Sequence, residues 1–147
     1  VTSSAHFTLP AVVGALIGGG SIGGSLGVAL MAFLLWGMAS HALGAVQDVQ
    51  SDRAGGLRSV ATELGARATT RAAGIFYLAA AVLCFALPSP GWAVGLLGVA
   101  YVANTLRFWN VTDVTSAAVN RAWKVFLWLN YLTGAVVTIA VLASVVL

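Results

Sequence analysis

Polar and apolar positions divide this chain into long uncharged blocks broken by two short charged ones. No Asp, Glu, Lys or Arg occurs in residues 1–47, 72–106 or 125–147. All the charges fall in two clusters. The first holds Asp48, Asp52, Arg53, Arg58, Glu63, Arg67 and Arg71, and the second holds Arg107, Asp113, Arg121 and Lys124. Apolar runs approaching the roughly 20 residues of a membrane span predict about five helices. These run from about Phe7 to Gly20 (reaching back towards Thr2, with Pro10 near the start), Ser25 to Gln47, Thr70 to Leu87, Gly91 to Leu106 and Trp123 to Leu147. The glycine-rich stretch Gly18–Gly24 and Pro88-Ser89-Pro90 supply the turns between neighbours.

The expected fold class is therefore all-α, a multi-span transmembrane helix bundle forming a single domain over residues 1–147. A hairpin of the third and fourth helices puts both charged clusters on one side, together with all seven Lys and Arg residues. Lys and Arg concentrate in cytoplasmic loops, so that side is expected to be cytoplasmic, with a bacterial plasma membrane as the setting.

Composition agrees: 60% of residues are hydrophobic and 7% charged, with a mean hydropathy of +0.97. Soluble domains carry about 25% charged residues, so a water-soluble class is excluded. The net charge of +3 is read as topology rather than as a nucleic-acid surface. Cys84 stands alone, which excludes a disulfide framework. Gly27, Gly37, Gly44, Gly95 and Gly98 suit close helix packing. Trp92, Trp109, Trp123 and Trp128 are expected as interfacial anchors near helix ends. Interhelical hydrogen bonds are the expected role of most of Asn104, Asn110, Asn120 and Asn130.

Chemistry concentrates where the second helix ends. Asp48 and Asp52 make an Asp-x-x-x-Asp pair one turn apart, and His41, Gly44, Asp48 and Asp52 share a face if the helix continues. Two such close carboxylates repel unless a cation lies between them. Mg2+ accepts one or two carboxylates and completes its shell with water and substrate phosphates. Arg53 and Arg58 follow, and guanidinium groups suit bidentate contact with phosphate oxygens. Gln47, beside the pair, is a further candidate for substrate contact, and His41, about two turns earlier, is either another or a packed histidine bonded to a neighbouring helix. Gly55-Gly56 permits a tight turn, and Ser59, Thr62 and Glu63 suit a short helix closing at Gly65. The bland alternative makes this a solvated loop with ion pairs such as Asp48–Arg53 or Glu63–Arg67.

The run HALGAVQDVQSDRAGGLRSVATELG, residues 41–65, resembles the second aspartate-rich motif of the UbiA superfamily of intramembrane prenyltransferases. Asp-Arg-x-x-Gly-Leu-Arg-Ser-Val-Ala-Thr looks most like its carotenoid branch, the lycopene elongases of actinobacteria. The opening Val1–Phe7 and Phe126–Gly134 fit that branch too. The resemblance implies that Asp48 and Asp52 hold Mg2+ on the diphosphate of an allylic prenyl donor, with Arg58 and Arg53 on the diphosphate itself. It also implies a hydrophobic, lipid-soluble acceptor such as lycopene. Members have about nine helices and two aspartate-rich motifs, whereas about five helices and one motif are expected here, and Asp113 does not resemble the other motif. The chain is therefore expected to be the C-terminal half of such a fold, incomplete without its N-terminal half. Its beginning at Val1 fits a processed product or a portion of a longer polypeptide. Two other readings stay open: a quinone-precursor or chlorophyll-like acceptor on the same fold, or a non-catalytic transporter or scaffold fragment.

Overall fold

A computed structural model describes residues 2–19 and 22–146. Val1, Leu147, and Gly20 and Ser21 of the expected glycine turn lie outside the described residues. Helices α1 (Thr2–Ile17), α2 (Gly24–Val46), α5 (Ala66–Phe85), α6 (Ala93–Leu106) and α7 (Asn120–Val146) are the five long elements. Two short helices, α3 (Val49–Ala54) and α4 (Val60–Leu64), occupy the first charged cluster. A 3-10 segment, Asp113–Val119, occupies the second. No strand occurs among the described residues.

The segments Gly24–Val46, Ala66–Phe85 and Asp113–Ala143 are long and apolar enough to cross a membrane. The apolar helices Ser4–Ile17 and Ala93–Leu106 are shorter. The order of packing is simple: α1 lies on α2, α2 on α5, α5 on α6 and α6 on α7. Small residues set the close approaches at Gly37, Gly44, Gly95 and Gly98, as the sequence predicts, but not at Gly27, where a Cβ would meet nothing within 4 Å. Gly37 faces Ser4 of α1, Gly44 faces Trp123 of α7, and Gly98 faces Ala81 of α5. Much of the buried core lies towards the charged end, where Leu43, Val46, Val49, Ala61, Ala66 and Val119 are nearly inaccessible.

Three expectations need correction. Pro10 lies in the interior of α1, not near its start, because the helix begins at Thr2. Neighbouring groups in a bundle can satisfy the backbone a proline frees, so the helix continues through it. Helix α5 starts at Ala66 rather than Thr70, for a reason that lies in the other charged cluster. Helix α2 does not run on through the aspartate pair. It ends at Val46, Asp48 N–H bonds to Ala45 O at 3.3 Å, and Asp48 caps α3 with φ −98° and ψ 2°.

The tryptophans divide between two roles. Trp92 and Trp128 are exposed. Trp123 instead stacks on Phe126 at 4.6 Å, and Trp109 receives the Arg71 guanidinium at 5.2 Å.

Candidate functional site

The site is built at the charged end, where α2 gives way to α3. The turn at Gln47-Asp48 breaks the face that His41 and Gly44 would share with the pair. Asp48 and Asp52 nevertheless keep their one-turn relation, since Asp52 N–H bonds to Asp48 O at 2.8 Å. Ser51 Oγ donates to the same carbonyl at 2.9 Å, tightening the first turn. Asp48 is exposed and Asp52 half-buried. Among the described residues, neither carboxylate has a hydrogen bond or ion pair with a side chain.

The two arginines nearest in sequence are both committed. Arg53 Nη1 pairs with Asp113 Oδ2 at 2.6 Å, and its Nη2 donates to Thr62 O at 3.0 Å. Arg58 Nε pairs with Glu63 Oε1 at 2.8 Å. Neither Asp48–Arg53 nor Glu63–Arg67 is formed among the described residues, so the acid pair stands free while the bases beside it are held elsewhere. The Arg58 side chain remains 83% exposed, so its bond to Glu63 is an open surface pair of small energetic weight. That bond holds the Glu63 carboxyl below its usual range and raises the Arg58 guanidinium.

Local sequence explains the loop. Gly55 ends α3, and Gly56 turns the chain at φ +68°. Ser59 then opens α4 through a reciprocal cap with Thr62: Thr62 N–H donates to Ser59 Oγ, and Ser59 N–H donates to Thr62 Oγ1. Helix α4 ends at Gly65, whose φ of +81° favours glycine.

The two charged clusters dock on each other, as the charge pattern implied. Asn120 Nδ2 donates to Gln47 Oε1 at 2.8 Å. Gln50 Nε2 donates to the carbonyls of Asp113 and Val114 at 3.2 and 3.0 Å. Arg71 donates to Trp109 O and Asn110 Oδ1. Asn104 donates to Ala122 O, and Asn130 Oδ1 accepts from Tyr101 OH at 2.7 Å. The four asparagines thus bond between elements, the bland role expected for most of them.

Asp113 is the residue that sequence reasoning missed. Its Oδ1 accepts from Ala66 N–H at 2.7 Å, and this carboxylate cap starts α5 four residues earlier than the apolar pattern suggests. The Ala66 bond, followed by Arg53, holds the Asp113 carboxyl below the usual aspartate range. One signal was present in the sequence: Asp113 is an acid with no basic residue within five positions, in a chain rich in arginine around position 60.

Because its folded pKa is depressed, Asp113 supplies stability that is complete above its ordinary pKa of 3.8. That stability is lost as pH falls through the folded value. Melting curves of wild type and Asp113→Asn are expected to differ at pH 7 and to converge as pH falls below 3.8 and through the lowered folded value. A difference unchanged from pH 7 to the acid limit would show that the carboxylate's charge contributes nothing.

His41 is exposed, with its ring 5.4 Å from that of Phe7 on α1. At the other end of the bundle, α2, α5, α6 and α7 line a largely apolar, partly open cavity of about 690 Å³. Phe33, Trp36, Tyr77, Cys84, Tyr101 and Asn130 are among its walls. Trp36 and Asp48 are separated by twelve residues, roughly 18 Å at helical rise, so this cavity is remote from the carboxylates.

The donor set at Asp48 and Asp52 suits a hard cation. Two unpartnered carboxylates supply oxygen ligands, and Mg2+ is commonly bound by one or two carboxylates plus substrate phosphates. Among the described residues no group of three or more His, Cys, Asp or Glu side chains is placed to hold a metal. The pair therefore fits a site completed by a substrate or by other parts of a longer chain.

The model of the UbiA prenyltransferase family matches residues 1–144. The chain belongs to that family. As a UbiA-family chain with long apolar helices, it is an integral membrane protein. It is 53% identical to a lycopene elongase/hydratase of Corynebacterium glutamicum over 97% of this chain and 50% of that protein. It is 46% identical to the C(50) beta-cyclic carotenoids biosynthesis protein LbtBC of Dietzia sp. over 99% of this chain and 34% of that protein. A lycopene elongase/hydratase of Halobacterium salinarum is 38% identical over 76% of this chain and 38% of its own length. The chain thus spans about half the length of the Corynebacterium relatives it matches. No solved structure matches it.

Proposed function

We propose that this chain is the C-terminal half of a Mg2+-dependent intramembrane prenyltransferase. It would move an allylic prenyl group from its diphosphate to a hydrophobic acceptor, and a carotenoid such as lycopene is the acceptor its relatives favour. The observation that carries the reading is the free Asp48–Asp52 pair on a UbiA-family chain. An ion-pair loop that only fixes topology would have no use for two adjacent carboxylates without partners.

Asp48 and Asp52 would hold Mg2+, which when bound offsets negative charge on the departing diphosphate. Arg58, exposed and tied among the described residues to Glu63, would exchange that partner for a diphosphate oxygen. In the transfer, the bond between the allylic carbon and the diphosphate oxygen breaks. The π electrons of an acceptor double bond form the new carbon–carbon bond, and the acceptor then loses a proton. The apolar helices beneath the site would keep water from the cationic carbon. Gln47 and His41 are retained as candidate substrate contacts. Gln47 would act through its free amide N–H groups, since its oxygen already accepts from Asn120.

All seven Lys and Arg residues lie between positions 53 and 124, so the charged end is assigned to the cytoplasmic side of a bacterial plasma membrane. The test is incubation of the full-length protein in membranes with dimethylallyl diphosphate and either lycopene or an aromatic acid. Mg2+-dependent alkylation of lycopene alone is the expected result, abolished by EDTA and restored by Mg2+. Alkylation of the aromatic acid instead would move the chain to a quinone-type branch. No transfer to either acceptor would favour a scaffold or transporter.

A further inference from the structure

We propose that Asp113 and Arg53 are positioning residues: through them the second charged cluster holds the short aspartate helix so that its two free carboxylates face a divalent cation and diphosphate. The inference rests on the prenyltransferase reading above and deepens it.

Helix α3 is six residues long, well below the roughly 12–15 at which an isolated helix becomes even marginal in water. Val49 is its buried residue, so packing alone fixes little. Gln50 and Arg53 do the rest. They lie three positions apart on one side of the helix, and both reach the second charged cluster: Gln50 to the carbonyls of Asp113 and Val114, Arg53 to the Asp113 carboxylate. Asp48 and Asp52 lie roughly 150° away around the axis at 100° per residue. One face of α3 is docked, and nearly the opposite face presents the carboxylates.

The docking point is itself anchored. Asp113 uses its second oxygen on Ala66 N–H at the start of α5, so one carboxylate ties α3 to a long helix of the bundle. The Arg53 fork is filled on its other arm by Thr62 O of α4. Charge-assisted bonds of this kind are the strong and directional ones, and supporting groups of this kind typically change metal affinity about 10–100-fold. The competing assignment makes Arg53 a diphosphate ligand, which requires it to leave Asp113. The two assignments predict opposite effects of Asp113.

The experiment uses the full-length protein in detergent or nanodiscs, with Mn2+ as the probe and a non-reacting thiolodiphosphate analogue of dimethylallyl diphosphate present. Free Mn2+ is read by electron paramagnetic resonance, well below the melting temperature, for wild type, Asp113→Asn, Arg53→Ala and the double variant. Asp113→Asn keeps an oxygen for Ala66 N–H and removes both the charge and the acceptor facing Arg53. Each single variant is expected to weaken Mn2+ binding about tenfold or more. The double variant should be no worse than the weaker single, as expected for residues acting as one unit. In turnover, KM for the donor should rise more than kcat falls.

Wild-type Mn2+ affinity in Asp113→Asn, with a loss in Arg53→Ala, would overturn the proposal and make Arg53 a direct ligand. Losses that simply add would overturn it as well. If Asp113→Asn fails to fold, Gln50→Ala carries the test, since it removes two docking bonds without touching a charge. It should weaken Mn2+ binding severalfold, and unchanged binding there would also count against the idea. Wild-type protein that binds no Mn2+ with the analogue present would overturn the donor reading itself and this inference with it, an outcome distinct from the others.

Discussion

Asp48→Asn and Asp52→Asn are each expected to reduce prenyl transfer by roughly 10²-fold or more, the scale on which single electrostatic groups in a reacting site act. Folding should be unaffected. Neither carboxylate bonds to a described side chain, and both lie on the solvent side of a short helix whose anchoring runs through Val49, Gln50 and Arg53. Removing either charge also relieves repulsion between the pair, so the apo protein should melt at or slightly above the wild-type temperature. The combination of lost turnover with unchanged or raised melting temperature distinguishes a ligand pair from a structural one. Full activity in both variants would remove the metal–diphosphate reading. Loss of activity together with loss of fold would mean that the carboxylates hold the loop. The measurements are a radiolabelled donor assay in membranes and a thermal melt of the same preparations. Excess Mg2+ should partly restore the slower reaction if affinity for the cation is what the substitution lowers.

How much of this was legible in the chain follows from the range of each interaction. The five long helices are set by local composition, so they were read to within a few residues, and the caps at Ser59 and Gly65 follow from residue types at adjacent positions. The co-location of the charged clusters was also legible, because helix parity puts residues 48–71 and 107–124 at one end whatever their contacts. What could not be read depends on contacts between distant positions. The start of α5 is fixed by Asp113, 47 residues from Ala66, so no window around residue 66 contains its cap. Arg53 is adjacent to the aspartate motif, yet the carboxylate it pairs with lies 60 residues away. The break at Gln47-Asp48 has no Pro or Gly of its own to mark it, and there Gln47 Oε1 accepts from Asn120 of α7, 73 residues away. The one-turn relation of Asp48 and Asp52 persists because both lie on the α3 side of the break, where Asp52 N–H bonds to Asp48 O.

Gly98 carries the largest expected effect on stability. A Cβ at this position would lie 2.6 Å from Ala81 Cβ and 2.9 Å from Ala81 Cα. The second contact is with backbone, so no side-chain rotation relieves it. One turn away, a Cβ on Gly95 would lie 2.8 Å from the Phe85 ring. The α5–α6 hairpin therefore depends on two glycines, Gly98 letting the helix backbones meet and Gly95 making room for the Phe85 ring, the packing mode that substitutes in lipid for hydrophobic collapse. Gly98→Val should force α6 away from α5 and destabilise the full-length protein by about 3 kcal/mol, at the upper end for an overpacked core. Gly98→Ala should cost less, but still more than the modest gain in helix propensity returns. The control is Gly27→Ala on α2, where a Cβ meets nothing within 4 Å and the melting temperature should stay level or rise slightly. Ala81→Gly in the Gly98→Ala background removes the 2.6 Å contact and leaves the 2.9 Å one, so it should recover only part of the loss. Complete recovery would place the clash at the side chain alone. An unchanged melting temperature in Gly98→Val would mean that the two helices are not held at this distance in the membrane. Because α6 also bonds to α7 through Tyr101 and Asn130, the destabilised hairpin should loosen that contact as well, read as faster proteolysis of the loop at residues 88–91 without change at the aspartate motif.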